Sequence, residues 1–201
     1  ATSAGAGRKV RATFAIRGGI CRGARPRMSA KASQTTMFAD ARRETSAVLS
    51  ECRIYRYHLA RGVSDALGTI NYLMLNPSTA DEVEPDPTIR KCMGFAERLG
   101  CGRIEVTNLY ALRSTDPKGL WSHADPVGPD NERWIVETAR KAEIVIAAWG
   151  NHGKRNRRCD YAFALLKKLG KPVHHLGPFT KEGQPNHPLM LPYSTPLMRL
   201  S

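Results

Sequence analysis

Residues 69–88 constrain this chain more than any other stretch. They begin with a short apolar run, Ile70-Asn71-Tyr72-Leu73-Met74-Leu75. Its length and its β-prone residues predict a buried strand. Pro77 ends it, and Asp86-Pro87 reads as a helix start, with Asp as the cap and Pro at the first helical position, where no N–H is needed. The polar cluster Asn76-Pro77-Ser78-Thr79-Ala80 therefore sits at the carboxyl end of a strand and beside a helix N-terminus. In open α/β sheets ligands bind there. An ordinary strand-to-helix loop would have the same appearance.

A second run, Ile144-Val145-Ile146-Ala147-Ala148-Trp149, is continuously apolar, as a strand covered on both faces must be. Between the two, Ile89, Cys92, Met93, Ala96 and Leu99 recur at helical spacing and Gly100 stops the helix. Residues 103–109 form the next strand. Asp125-Pro126-Val127-Gly128-Pro129 is a rigid turn leading to Asp130, a candidate cap. Trp134, Ile135, Thr138 and Ala142 give a second helix one apolar face. Ala162, Phe163, Leu166 and Leu169 mark a third helix, and Val173-His174-His175-Leu176 a short strand. Residues 52–59 are strand-like and lie one turn before the central strand, to which they are expected to pair as an antiparallel edge. The fold class expected is α/β: three layers, α/β/α, with a small, mainly parallel central sheet and an antiparallel N-terminal edge strand.

The N-terminus differs in kind. Eight of the cations behind the +13 net charge lie before Asp40, and no acid precedes it. Residues 1–36, rich in Ala, Ser, Gly and Arg, are expected to be a disordered basic extension ahead of one domain over 37–201. Such a segment also suits an organelle transit peptide, or sequence upstream of a start at Met28 or Met37. The rest of the chain is only mildly basic, which permits a polyanionic partner without requiring one. No apolar run approaches membrane-spanning length. The five cysteines lack any C-x-x-C pair, so a metal or iron–sulfur framework is not expected, and reduced thiols in a cytoplasmic protein fit better.

A parallel sheet gathers its strand ends on one rim. Here those ends deliver Asn76, Pro77 and Ser78, then Asn108, then His152 with Lys154 and Arg155, and finally His187. Singly, an Asn there is a turn former and a His a surface group. Together they outline a binding site. An Asn cannot act as a general base, but its carbonyl accepts from water and its amide donates to a base edge. A His can stabilise an oxyanion or exchange a proton. Lys154 and Arg155 after a Gly-containing turn could meet phosphate, although no Walker A loop is present. No G-x-S-x-G elbow supports Ser78 as a nucleophile. The acidic residues 81–86 are read as a solvated loop before a Mg²⁺ site, and neither metal nor cofactor is expected.

Several longer motifs carry a resemblance. Leu75-Asn76-Pro77-Ser78-Thr79-Ala80-Asp81, Asp86-Pro87-Thr88-Ile89-Arg90, Asn108-Leu109-Tyr110-Ala111-Leu112-Arg113, Asp125-Pro126-Val127-Gly128, Ala148-Trp149-Gly150 and His187-Pro188-Leu189 together resemble the bacterial family called domain of unknown function 1643, from about Tyr55 to Pro196. That family brings no established activity. A more distant resemblance is to the uracil-DNA glycosylases, whose motifs run in the same order. It implies that Asn76, in an Asn-Pro form of the first motif, positions the attacking water, and that Asn108 reads the Watson–Crick edge of the base. Trp149, His152, Lys154 and Arg155 match the motif after the third strand, and His187 the histidine that supports the leaving base. The chain departs from that pattern. Met74 replaces a glycine, the carboxylate of the most active branch is absent, and Leu189 and Met190 stand where Ser and Pro are usual. No residue is assigned to stack on the flipped base.

Three functional readings follow. The first is a metal-independent N-glycosidic hydrolase that recognises a nucleobase in DNA or a nucleotide, with Asn76 and His187 catalytic, Pro77, Ser78, Asn108, Trp149 and His152 binding substrate, and Lys154 and Arg155 meeting phosphate. The second is a non-catalytic module on the same fold that binds a nucleotide or nucleic acid. The third is a small-molecule hydrolase or transferase using the neighbourhood of Ser78 and His187. A monomer with no membrane partner is assumed throughout.

Overall fold

A computed structural model describes residues 45–78 and 85–200. The expected N-terminal extension and most of the acidic loop lie outside these residues. Seven strands form one sheet: β1 (Ser46–Leu49), β2 (Arg56–Gly62), β3 (Thr69–Met74), β4 (Arg103–Asn108), β5 (Ile144–Ala147), β6 (Val173–Leu176) and β7 (Leu197–Arg199), in the spatial order β1-β2-β4-β3-β5-β6-β7. Among the described residues four helices connect them: α1 (Pro87–Arg98), α2 (Pro117–Ser122), α3 (Asn131–Lys141) and α4 (Arg158–Lys168). The α/β class agrees with the sequence.

The sheet is mixed rather than mainly parallel. The neighbours β4-β3, β3-β5 and β5-β6 run parallel, whereas β1-β2, β2-β4 and β6-β7 run antiparallel. Two differences from expectation follow. The C-terminal strand β7 lies inside a Pro-rich segment that carries no strand signal. And β2 pairs with β4, not with β3. The α1 crossover lays β4 along one edge of β3 and β5 takes the other, so the only free edge on that side belongs to β4. The connection from β2 to β3 must then pass over the start of β4. It does so at Gly102, whose carbonyl accepts from Val63 and Ser64 N–H at 2.7 and 3.2 Å. A Cβ on Gly102 would stand 1.9 Å from the carbonyl oxygen of Ala66. Glycine alone leaves room for that crossing.

Two cores sandwich the sheet. On one face Ile70, Tyr72, Met74, Ile104, Val106 and Ile146 pack against Ile89, Cys92, Phe95 and Ala96 of α1. On the other, Leu73, Val145 and Ala147 meet Leu120 of α2, Ile135 and Ala139 of α3, and Ala162 and Leu166 of α4. The alternation along β5, Ile144 and Ile146 to one side and Val145 and Ala147 to the other, explains its unbroken apolar run. Asp86 caps α1 as expected, its Oδ1 accepting from Ile89 N–H at 2.8 Å, with Pro87 at the first position. Asp130 does not repeat this. It precedes α3 without a side-chain cap bond. Among the described residues no helix is long and apolar enough to cross a membrane.

Candidate functional site

A cleft of ≈ 340 Å³ opens at the carboxyl ends of the parallel strands. This is the small end of the range for small-molecule sites. Residues at or just after three strand ends line it: Asn76 and Ser78 after β3, Asn108 closing β4, and Trp149 and His152 after β5. His187 closes the cleft from the C-terminal segment, and Asp86 and Thr88 from the start of α1. Pro77 is buried beneath the loop, and its carbonyl accepts from Ser114 N–H at 3.0 Å. Six of the nine residues singled out in the sequence therefore share one cavity.

Asn76 is fixed by its own amide. Its Nδ2 donates to the carbonyl of Ser114 at 2.7 Å and to that of Pro77 at 3.1 Å. Both partners are acceptors, so the NH₂ side must face them and Oδ1 faces away. What remains is an uncharged acceptor, able to hold a water but not to deprotonate it.

Asn108 is the opposite case. The residue is 2 % exposed. Its backbone carbonyl accepts from Asn131 Nδ2 at 3.0 Å, yet among the described residues nothing hydrogen-bonds its side chain. Asn108 lines the cleft, and an amide with no side-chain partner in a cavity wall offers a donor and an acceptor side by side to whatever enters.

His187 Nδ1 accepts from Leu189 N–H at 3.4 Å, a long bond that selects the tautomer protonated on Nε2. Burial pushes its pKa below the usual histidine value, and the carboxylate of Asp86 opposes this only in part. His187 is thus a neutral donor. Trp149 is 4 % exposed and locked, with Nε1 donating to Gln184 Oε1 at 3.0 Å. A Cβ on Gly153 would stand 2.1 Å from its ring, so a glycine is required beneath it.

Lys154 and Arg155 do not line the cleft. Lys154 Nζ lies 3.8 Å from Glu182 Oε2 in an exposed pair. The Arg155 guanidinium stacks 4.6 Å above the ring of Trp121, and its carbonyl accepts from Tyr110 Oη at 2.9 Å. The residues that follow, Asn156 and Arg157, both adopt left-handed backbone at φ 52° and 55°. The structure also brings in residues the sequence did not single out. Arg56, at the start of β2, is 6 % exposed and lines the cavity, as do Ser114, Thr115 and Asn151. In the sequence Arg56 reads as the polar side of an edge strand, and only the pairing of β2 with β4 brings it to the rim. Among the described residues no group of three or more His, Cys, Asp or Glu side chains could hold a metal ion.

The family described as "Protein of unknown function (DUF1643)" matches residues 56–189, from the first residue of β2 to the turn after His187. The chain belongs to this family. Every cleft residue named above falls within the DUF1643 match, including Arg56 at its first position. No curated protein and no solved structure matches the chain.

Proposed function

We propose that this DUF1643 protein recognises a nucleobase in the cleft and hydrolyses its N-glycosidic bond. The observation that carries the reading is the Asn108 amide, 2 % exposed and without a side-chain partner among the described residues. Along one edge a carboxamide presents one donor beside one acceptor. Its complement is the –CO–NH– edge of uracil, thymine or hypoxanthine, the same chemistry by which amide side chains read base edges elsewhere. The floor of Met74 and Val106 and the indole of Trp149 supply apolar surface for the ring.

In the reaction, water oxygen bonds to the sugar C1′ as the C1′–N bond breaks. The electron pair of that bond leaves with the base, and one hydrogen of the water ends on the base nitrogen. Asn76 Oδ1 orients the water through a hydrogen bond. His187, neutral and protonated on Nε2, donates to the base as it gathers negative charge. Lys154 and Arg155, exposed outside the cleft, are suited to a phosphate-bearing strand rather than to the base. The similar motif order in uracil-DNA glycosylases supports this division of roles.

The test uses oligonucleotides, single- and double-stranded, carrying uracil, hypoxanthine or a mismatched thymine. Alkali-labile breaks with wild-type protein and none with Asn76→Ala support hydrolysis and name the base. Salt-sensitive retention of DNA without breaks would replace it with a binding module. Equal loss of turnover with Ser78→Ala would point instead to a small-molecule hydrolase.

A further inference from the structure

The turn Asp125-Pro126-Val127-Gly128 stands apart from the cleft, yet its geometry is tied to the cleft's base-facing residue. Asp125 Oδ1 accepts from Val127 and Gly128 N–H at 3.1 and 3.0 Å, closing the turn on itself. Tyr55 Oη donates to the Asp125 carbonyl at 2.8 Å. Gly128 has φ 85°, and a Cβ there would stand 2.9 Å from the Tyr55 ring, so the turn is held in one shape. Its carbonyls then receive the segment beyond β4: Ala111 N–H donates to Val127 and Leu112 N–H to Pro126, at 3.1 and 3.2 Å.

The turn ends by delivering Asn131, which is fully buried. Asn131 Nδ2 donates to the carbonyls of Asn108 and Leu109, at 3.0 and 3.1 Å. Arg158 Nε donates to the same Leu109 carbonyl at 2.8 Å, while its other arm pairs with Glu132 Oε1 at 3.0 Å. Meanwhile Leu109 and Tyr110 N–H donate to the carbonyls of Met74 and Leu75 at 2.8 and 2.9 Å. The peptides on either side of Leu109 are therefore gripped from two sides. Fixing the Asn108 carbonyl fixes that residue's ψ and hence the direction in which its side chain leaves the backbone. Asn131 Oδ1 is buried with no hydrogen-bond partner. An unsatisfied buried carbonyl is unfavourable. Asn131 carries it at a position that holds the carbonyl of Asn108.

We infer that Asn131 is a positioning residue for ligand recognition: it aims the Asn108 carboxamide into the cleft by holding the carbonyls of residues 108 and 109. The inference rests on the nucleobase reading for the nature of the ligand, but not for the aiming itself. Two measurements separate these. Uracil is titrated into wild-type and Asn131→Ala protein, and the side-chain NH₂ signals of Asn108 are followed by ¹H–¹⁵N spectroscopy, with those of Asn71 in β3 as an internal control. In folded Asn131→Ala the expected result is a shift of the Asn108 pair, Asn71 unchanged, and uracil affinity at least tenfold weaker. A purely structural role would lower the melting temperature and leave the Asn108 pair and the affinity where they were, and that result overturns the inference. If wild type binds no uracil, thymine or hypoxanthine, the nucleobase reading falls, and the Asn108 signals still decide the positioning claim. Should Asn131→Ala fail to fold, Asn131→Leu, which keeps the volume but offers no donor to the two carbonyls, is expected to shift the same pair. An unmoved pair there overturns the inference equally.

Discussion

The amide nitrogen of Asn76 lies 2.7 Å from the carbonyl oxygen of Ser114, joining the loop after β3 to the loop after β4 across the mouth of the cleft. Replacing Asn76 with Asp puts a carboxylate oxygen where a donor stood, facing this carbonyl and that of Pro77. Asn76→Asp is therefore expected to be less stable than Asn76→Ala, which itself loses two neutral hydrogen bonds worth about 1–3 kcal/mol together. Turnover should rise in neither. Urea unfolding of the three proteins at neutral pH checks this. An Asp variant as stable as wild type would mean that the amide does not hold the loop.

The crossing at Gly102 gives a sharper prediction about the fold. Its Cβ position is occupied by the backbone of Ala66, which cannot swing aside as a side chain can. Gly102→Ala is expected to cost about 1–3 kcal/mol or more. Gly170→Ala, where φ is +67° but no atom lies within 4 Å, carries only the backbone penalty and should cost less. Comparing the two unfolding midpoints tests the tightness of the crossing over Gly102. Equal midpoints would speak against it.

Protons should destabilise the protein in two steps. Burial lowers the pKa of His174, His175 and His187, so the folded chain resists protonation where the unfolded chain accepts it. Below about pH 6.5, the unfolded histidine value, the unfolded state binds more protons and stability falls. Glu105 acts at lower pH. Burial raises its pKa, but His58 at 3.4 Å and Arg103 more than reverse this. A carboxylate lowered in the folded state contributes stability above its unfolded value, and that contribution is lost as pH falls through the folded value. Glu105→Gln should flatten only the lower step of a stability–pH profile. Turnover, which needs neutral His187, should persist below pH 6.5 and fall only with more acid.

The residues that line the cleft were more legible in the sequence than the sheet was. Asn76, Asn108, His152 and His187 were legible because each closes or follows a strand whose apolar run and terminating residues are local signals. Asp86 was legible because capping is local too. The pairing of β2 was not, because it depends on which edge α1 leaves open, and Gly102 looks like any turn glycine until a second chain segment crosses it. The strand β7 was hidden for a related reason. Leu197-Met198-Arg199 is short and follows Pro196, and only pairing with β6 makes it a strand. Asn131 carries no local signal, because the carbonyls it serves are more than 20 residues away.

The most direct test of the central claim compares bases with the recognition edge open or blocked. Uracil, thymine and hypoxanthine are titrated calorimetrically against their counterparts N-methylated on the –CO–NH– edge, with wild-type protein and with Asn108→Ala. Because the Asn108 amide has no side-chain partner among the described residues, Asn108→Ala should unfold no more easily than wild type. At least one open base should bind wild type, its methylated form should bind at least tenfold more weakly, and Asn108→Ala should abolish the difference. Binding that ignores the methyl group, or that survives unchanged in Asn108→Ala, would contradict recognition through this amide.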